Sequence, residues 1–116
     1  MKPDLLENGE KLQVMCTGRC SQSDLLEVVD TIAEARTRNP RLRKCIIDAL
    51  NADWRLSGMG EFFVGEYAAK RLSGMRISLL VGKGQATTLL ENAAYNRGLK
   101  LLLTSDREDA EGWLSE

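Results

Sequence analysis

The residues with the most chemical promise lie mid-chain, in Leu56-Ser57-Gly58-Met59-Gly60-Glu61-Phe62. A serine followed by two spaced glycines is either a helix cap or a chemical handle. As a cap, its hydroxyl accepts from a backbone N–H two or three residues on, worth ~0.5–2 kcal/mol. Gly58 and Gly60 each cost roughly 1 kcal/mol of helix propensity. They imply close approach of something to the helix start, either a partner surface or an anion. The chain has no histidine, which removes the commonest general base and the commonest metal ligand together.

The other candidates are sparse. Cys16, Cys20 and Cys45 are odd in number and cannot form a fully paired disulfide framework. They read as small hydrophobes in strands. Asp48 and Asp53 flank the end of a strand, where open α/β sheets bind ligands, but no positioned partner for acid–base work is visible. Gly82-Lys83-Gly84 is either a phosphate cradle or a strand-to-helix corner; the P-loop and G-x-G-x-x-G patterns are both absent. Arg36, Arg38, Arg41, Arg43 and Lys44 place five cations in nine residues. They form either a solvated helix end or a docking patch for an acidic partner. No aromatic residues interleave them, so nucleic acid is not an expected partner. Trp54 either covers the core edge or stands exposed as a binding anchor. No catalytic residue, metal site or cofactor follows from these groups, and a non-enzymatic protein is expected.

The elements that must position these residues are well punctuated. Asp4 to Glu7 is a short strand, Asn8-Gly9 a hairpin turn, and residues 11–18 a second strand. A helix follows, capped by Ser21 or Ser23. It carries the stripe Leu25, Leu26, Val28, Val29, Ile32 and Ala33 and stops at Asn39-Pro40. Residues 44–50 form a strand buried on both faces. The loop 51–60 leads to a second helix whose expected buried face is Met59, Phe62, Phe63, Tyr67, Ala68 and Leu72. Residues 75–82 are the next strand. The glycine turn then enters a third helix with Ala86, Leu89, Leu90, Ala93 and Ala94. Residues 99–105 make a last strand, and Ser105 with Glu108 resembles a capping box for a short helix carrying Ala110, Trp113 and Leu114.

The order β-β-α-β-α-β-α-β-α predicts an α/β fold: a mixed, mostly parallel sheet of about five strands with four helices. At 116 residues the chain reads as a single domain, 1–116. Its net charge of -1 supplies no global field toward nucleic acid or an anionic membrane. No run of about 18 apolar residues is present, so no integral membrane segment is expected. Met1-Lys2-Pro3-Asp4 is not an apolar signal region, and the expected location is cytoplasmic.

This element order, with "LSGMGEFFVGEY" at residues 56–67, resembles the STAS fold of anti-sigma-factor antagonists. That family places a serine or threonine at the start of the helix after the third strand, in a D-S-S-G-like motif. The match here is Ser57, Gly58, Gly60, Gly65 and Tyr67. Arg55 and Leu56 stand where the motif has its acidic residue and first serine. "GEYAAKRL", "ENAAYNRG" and "REDAEGWL" look like the SpoIIAA-like bacterial proteins of undefined role, also compared with the CRAL-TRIO lipid-binding fold. The resemblance implies a regulatory protein-interaction module with an anti-sigma-factor or kinase-like partner. Ser57 is its candidate phosphoacceptor, and Asp53, Trp54, Arg55, Ser57 and Gly58 form its binding loop. The alternative is a small-ligand or lipid-binding module with Met59, Phe62 and Phe63 beside a pocket. A homodimer is plausible because a hairpin at the sheet margin leaves an exposed edge.

Overall fold

Alternation at the N-terminus produces a hairpin. In the computed structural model, which describes residues 3–116, β1 (Asp4–Asn8) and β2 (Lys11–Met15) pair antiparallel. Asn8 pairs with Lys11, so the turn is Gly9-Glu10, one residue later than expected. Gly9 takes φ 63° there, a conformation that glycine alone adopts without strain.

β2, β4 (Lys44–Ala49), β6 (Arg76–Val81) and β7 (Lys100–Thr104) run parallel, and the sheet has the spatial order β1-β2-β4-β6-β7. Each parallel step needs a crossover. These are α1 (Gln22–Arg38), α2 (Gly58–Arg71) and α3 (Leu89–Asn96). They bury Leu25, Val28, Ile32, Val64, Ala68 and Leu90 against the Leu12, Val14, Ile47, Ile77, Leu79 and Leu101 face of the sheet. α4 (Arg107–Leu114) covers the other face, where Ala110 and Leu114 pack on Ile46 and Leu80. The buried hydroxyl of Ser78 donates to the Ala110 carbonyl at 3.0 Å. The expected mixed sheet of five strands with four helices is the architecture found.

A second, small sheet lies outside that expectation. β3 (Gly18–Cys20) and β5 (Ala52–Trp54) pair in parallel, and the Arg55 N–H extends the ladder to the Cys20 carbonyl at 2.8 Å. Three-residue strands are too short to show a period in the sequence. Their pairing brings together the two segments that lead into α1 and α2.

Helix boundaries follow their caps. Ser21, not Ser23, begins α1: it accepts from the Asp24 N–H at 3.3 Å, and its own N–H donates to Asp24 at 2.8 Å. The Ser21 backbone N–H first, and then the Ser21 hydroxyl donating to the carboxylate at 2.9 Å, hold the Asp24 carboxyl below its ordinary range. The contribution is present above that ordinary range and is lost as pH falls through the depressed value. At α4 the cap is Asp106 rather than Ser105, because the Asp106 carboxylate accepts from the Glu108 N–H at 2.8 Å. α3 starts only at Leu89; residues 82–88 are irregular, so the glycine turn does not enter the helix directly.

The largest departure is the rotation of α2. Its buried residues are Gly60, Glu61, Val64, Gly65, Ala68 and Ala69, whereas Met59, Phe62 and Phe63 are exposed. Apolar residues surround the first turns of this helix, so pattern alone does not choose a face. Space chooses it. A Cβ on Gly65 would lie 2.5 Å from the Leu90 carbonyl oxygen and 2.9 Å from the Ala93 Cβ. Tyr67 is half-buried and donates to Asp30 at 2.6 Å.

Two glycine substitutions test this packing in opposite directions. Gly65→Ala is expected to destabilise by about 1–3 kcal/mol through overpacking. Gly112→Ala in α4, where an added Cβ meets nothing within 4 Å, is expected to stabilise by roughly 0.5–1 kcal/mol. Denaturant titration of the two variants against wild type reads both signs.

Candidate functional site

The segment ahead of α2 alternates its side chains. Asp53 and Arg55 point outward and pair with each other at 2.8 Å, with both side chains exposed. Such a pair is worth at most about 1 kcal/mol. Trp54 points inward and is buried, so it covers the core edge and is not an exposed anchor. Ser57 is exposed and has extended backbone, φ -78° and ψ 169°. Its Oγ accepts from the Gly60 N–H at 3.0 Å, and its carbonyl accepts from the Glu61 N–H at 2.9 Å. The cap reading of Ser57 is therefore realised, with the residue at the surface.

The two glycines beside it have an internal explanation. A Cβ on Gly58 would meet Leu89 Cδ1 at 2.9 Å, and one on Gly60 would meet Gln22 Oε1 at 3.0 Å. The close approach inferred from these glycines is made by the chain's own α3 and α1. They therefore do not call for a partner or a phosphate at the helix start.

Glu61, one turn into α2, is the functional-region residue that the sequence reading passed over. It is 1% exposed. Its carboxylate accepts from the Trp54 indole N–H at 3.3 Å, the Thr87 backbone N–H at 3.0 Å and the Thr87 hydroxyl at 2.7 Å. A buried carboxylate is tolerable only when hydrogen-bonded in this way. These three donors are all neutral. They fasten the loop before α2, the helix itself and the 82–88 segment into one unit. The glycine corner thus serves to bring Thr87 and Leu89 over the start of α2. The signal for Glu61 was its place on the arc of small residues Gly58, Gly65, Ala68 and Ala69, the arc that a tightly packed helix buries.

The outward face of the same turns is apolar. Met59 is 77% exposed and Phe63 50%, with Phe62 and Leu89 also exposed. Large apolar groups clustered at the surface mark an interaction site more often than chance. The site that the chain brings together is therefore Ser57 with Met59, Phe62, Phe63 and Leu89, flanked by the Asp53–Arg55 pair.

Other candidates are accounted for structurally. Asp48 pairs with Arg107 and accepts from the Leu50 N–H at 3.1 Å. Arg36 donates to the Ser73 and Arg71 carbonyls at 2.7 and 3.0 Å, closing the C-terminal end of α2. All three cysteines are buried and free. Burial pushes the Cys16 thiol up to about 11 and the Cys20 thiol to about 12, and raises Cys45 as well. They are protonated thiols at neutral pH, without thiolate reactivity. A groove at the sheet margin, lined by Leu6, Gln13, Met15, Ile46, Asp48 and Arg107 among others, has a volume of 160 Å³. Ligand pockets usually run to ~300–1,000 Å³. Among the described residues, no helix is long and apolar enough to cross a membrane.

Comparison with known proteins turns on shape. No family model and no curated protein matches the chain by sequence. Among solved structures, SpoIIAA, an anti-sigma factor antagonist in its unphosphorylated form, superposes with a TM-score of 0.58 at 12% identity over 98% of both chains. The fold is SpoIIAA-like. An uncharacterized DUF3478-family protein with a SpoIIAA-like fold, from Shewanella loihica PV-4, superposes with a TM-score of 0.57 at 16% identity. That match covers 97% of this chain and 92% of the other. The STAS/SpoIIAA-like resemblance read from the element order thus holds for the fold.

Two measurements check the site's construction. Glu61→Gln leaves an amide facing the Trp54 N–H and is expected to cost about 1–3 kcal/mol, with a red-shift of tryptophan emission from the loosened indole. Thiol-reactive reagent at neutral pH is expected to modify none of the three cysteines until denaturant is added.

Proposed function

We propose that this chain is a non-enzymatic regulatory module that docks a protein partner on the loop 51–58 and the start of α2. The observation that carries this reading is the exposed cluster of Met59, Phe62 and Phe63 around an exposed, capping Ser57. Met59, Phe62 and Phe63 face solvent rather than the interior. This favours a protein surface as their cover over a small ligand or lipid. The SpoIIAA-like fold supports the same class, since the SpoIIAA it superposes on is an anti-sigma factor antagonist. An anti-sigma-factor or kinase-like protein is the kind of partner proposed.

Ser57 is the proposed switch. A phosphate there sits at the positive end of the α2 dipole, next to free N–H groups, so it does not melt the helix. It acts outward instead. Roughly -2 of charge at the edge of an apolar patch must be desolvated when a partner covers Met59 and Phe63. Phosphorylation therefore opposes docking, and the unmodified form is the binding form.

The test is affinity purification from the native host with wild type, Ser57→Ala, Ser57→Asp and Phe63→Ser, read by intact mass and partner recovery. A phosphate adduct present on wild type and absent from Ser57→Ala is expected. The partner recovered by wild type and Ser57→Ala is expected to be lost by Ser57→Asp and by Phe63→Ser. Equal recovery by all four proteins would sink the docking reading. Loss with Phe63→Ser alone would leave the surface and remove the switch.

A further inference from the structure

The segment entering α2 carries a charge arrangement that the Ser57 cap does not require. Trp54 is buried and Leu56 packs against the core, so Asp53, Arg55 and Ser57 share the outward side of an extended chain. Among the described residues Arg55 makes one side-chain hydrogen bond, from Nε to Asp53 Oδ2 at 2.8 Å, and both partners are exposed. The β3–β5 register sets Arg19 directly beside Asp53. Arg19 is exposed and, among the described residues, has no ion-pair partner. Two arginines thus flank one carboxylate next to Ser57, at the edge of the apolar patch.

We infer that Arg55 is the clamp for a phosphate on Ser57: Asp53 releases it, and Arg19 takes Asp53 in its place. This rests on the switch reading of Ser57 and says how that switch is held. The reach is already demonstrated on the other side. Arg55 bridges the two residues back to Asp53, and Ser57 lies two residues forward on the same outward side. A phosphoserine extends further from the backbone than an aspartate, so the forward gap is the easier one to close.

The chemistry favours the exchange. Asp53 takes a single hydrogen bond from a group that offers a planar fork, and that fork matches two phosphate oxygens at once. The phosphate also carries roughly twice the charge of the carboxylate it displaces. Asp53 is not stranded, because Arg19 stands beside it. Only hydrogen bonds and ion pairs change hands. The exchange also inverts the sign of the rim. Unmodified, it holds two cations and one carboxylate; with the phosphate, negative charge prevails. The partner that covers Met59 and Phe63 is therefore one whose apolar contact is bordered by carboxylates, attracted by the first rim and repelled by the second.

Phosphoserine encoded directly at position 57 tests the clamp without a kinase or a partner. Phosphorus NMR reads the second ionisation of the phosphate, ordinarily near pH ~6. A paired cation favours the dianion and lowers that midpoint. Arg55→Gln is therefore expected to raise it by roughly 0.2–0.7 pH, the size of an exposed ion pair. Arg19→Gln removes the same charge one strand away and is expected to raise it by clearly less. Asp53→Asn is expected to lower it, because Arg55 then has no competing carboxylate. Of the other groups near the start of α2, Gln22 is neutral and Glu61 is buried in its bonds to Trp54 and Thr87, so both are constant across the variants. An unchanged midpoint in Arg55→Gln, or equal shifts from Arg55→Gln and Arg19→Gln, overturns the clamp. Absence of phosphate on Ser57 in the native host removes the switch instead, so the two failures are told apart. Circular dichroism matching wild type confirms that each variant is folded.

Discussion

The exposed apolar face of α2 depends on one close approach. At Gly65 the Leu90 carbonyl oxygen lies 2.5 Å from where a Cβ would stand, a separation that no side chain tolerates. α2 must therefore turn its small residues toward α3. Once that arc is buried, the helical period leaves Met59, Phe62 and Phe63 on the solvent side. The same rotation carries Glu61 into the interior, where Trp54 and Thr87 meet it.

The consequences for stability and for function pull against each other. Burying a Phe or Met side chain is worth about 1.5–3 kcal/mol, and α2 forgoes much of that for three residues. The glycines of its first turns also lower helix propensity. Against these stand the Ser57 cap, the tight α2–α3 contact and the Glu61 hydrogen bonds. The apolar area left in water is the part of the helix that gains most when another surface covers it. Ser57 sits at the start of the same helix, where the dipole favours a negative group.

The small β3–β5 sheet ties the entries of two helices together. It fastens the segment before α1 to the segment before α2, and Gln22 at the start of α1 reaches the backbone of Gly60.

Much of the fold was legible in the chain itself because it rests on local signals. The α1 stripe from Leu25 to Ala33, the doubly buried runs in β4 and β6, and the Asn39-Pro40 stop each announce themselves by period or by backbone geometry. Ser57 was legible as a cap for the same reason. The face of α2 was not. Its apolar residues encircle the helix start, and the choice among faces was made by the distance to Leu90 and Ala93, which are 25 or more residues away in sequence. Glu61 read as an ordinary first-turn acid until Trp54 and Thr87 were placed around it. The pairing of β3 with β5 likewise joins segments too short to carry a pattern. Sequence alone determined the order of the main-sheet strands and the helices and the cap at Ser57, since these depend on neighbours along the chain. Only the tertiary structure decided which side of α2 meets solvent, because steric exclusion between helices is a property of space and not of spacing.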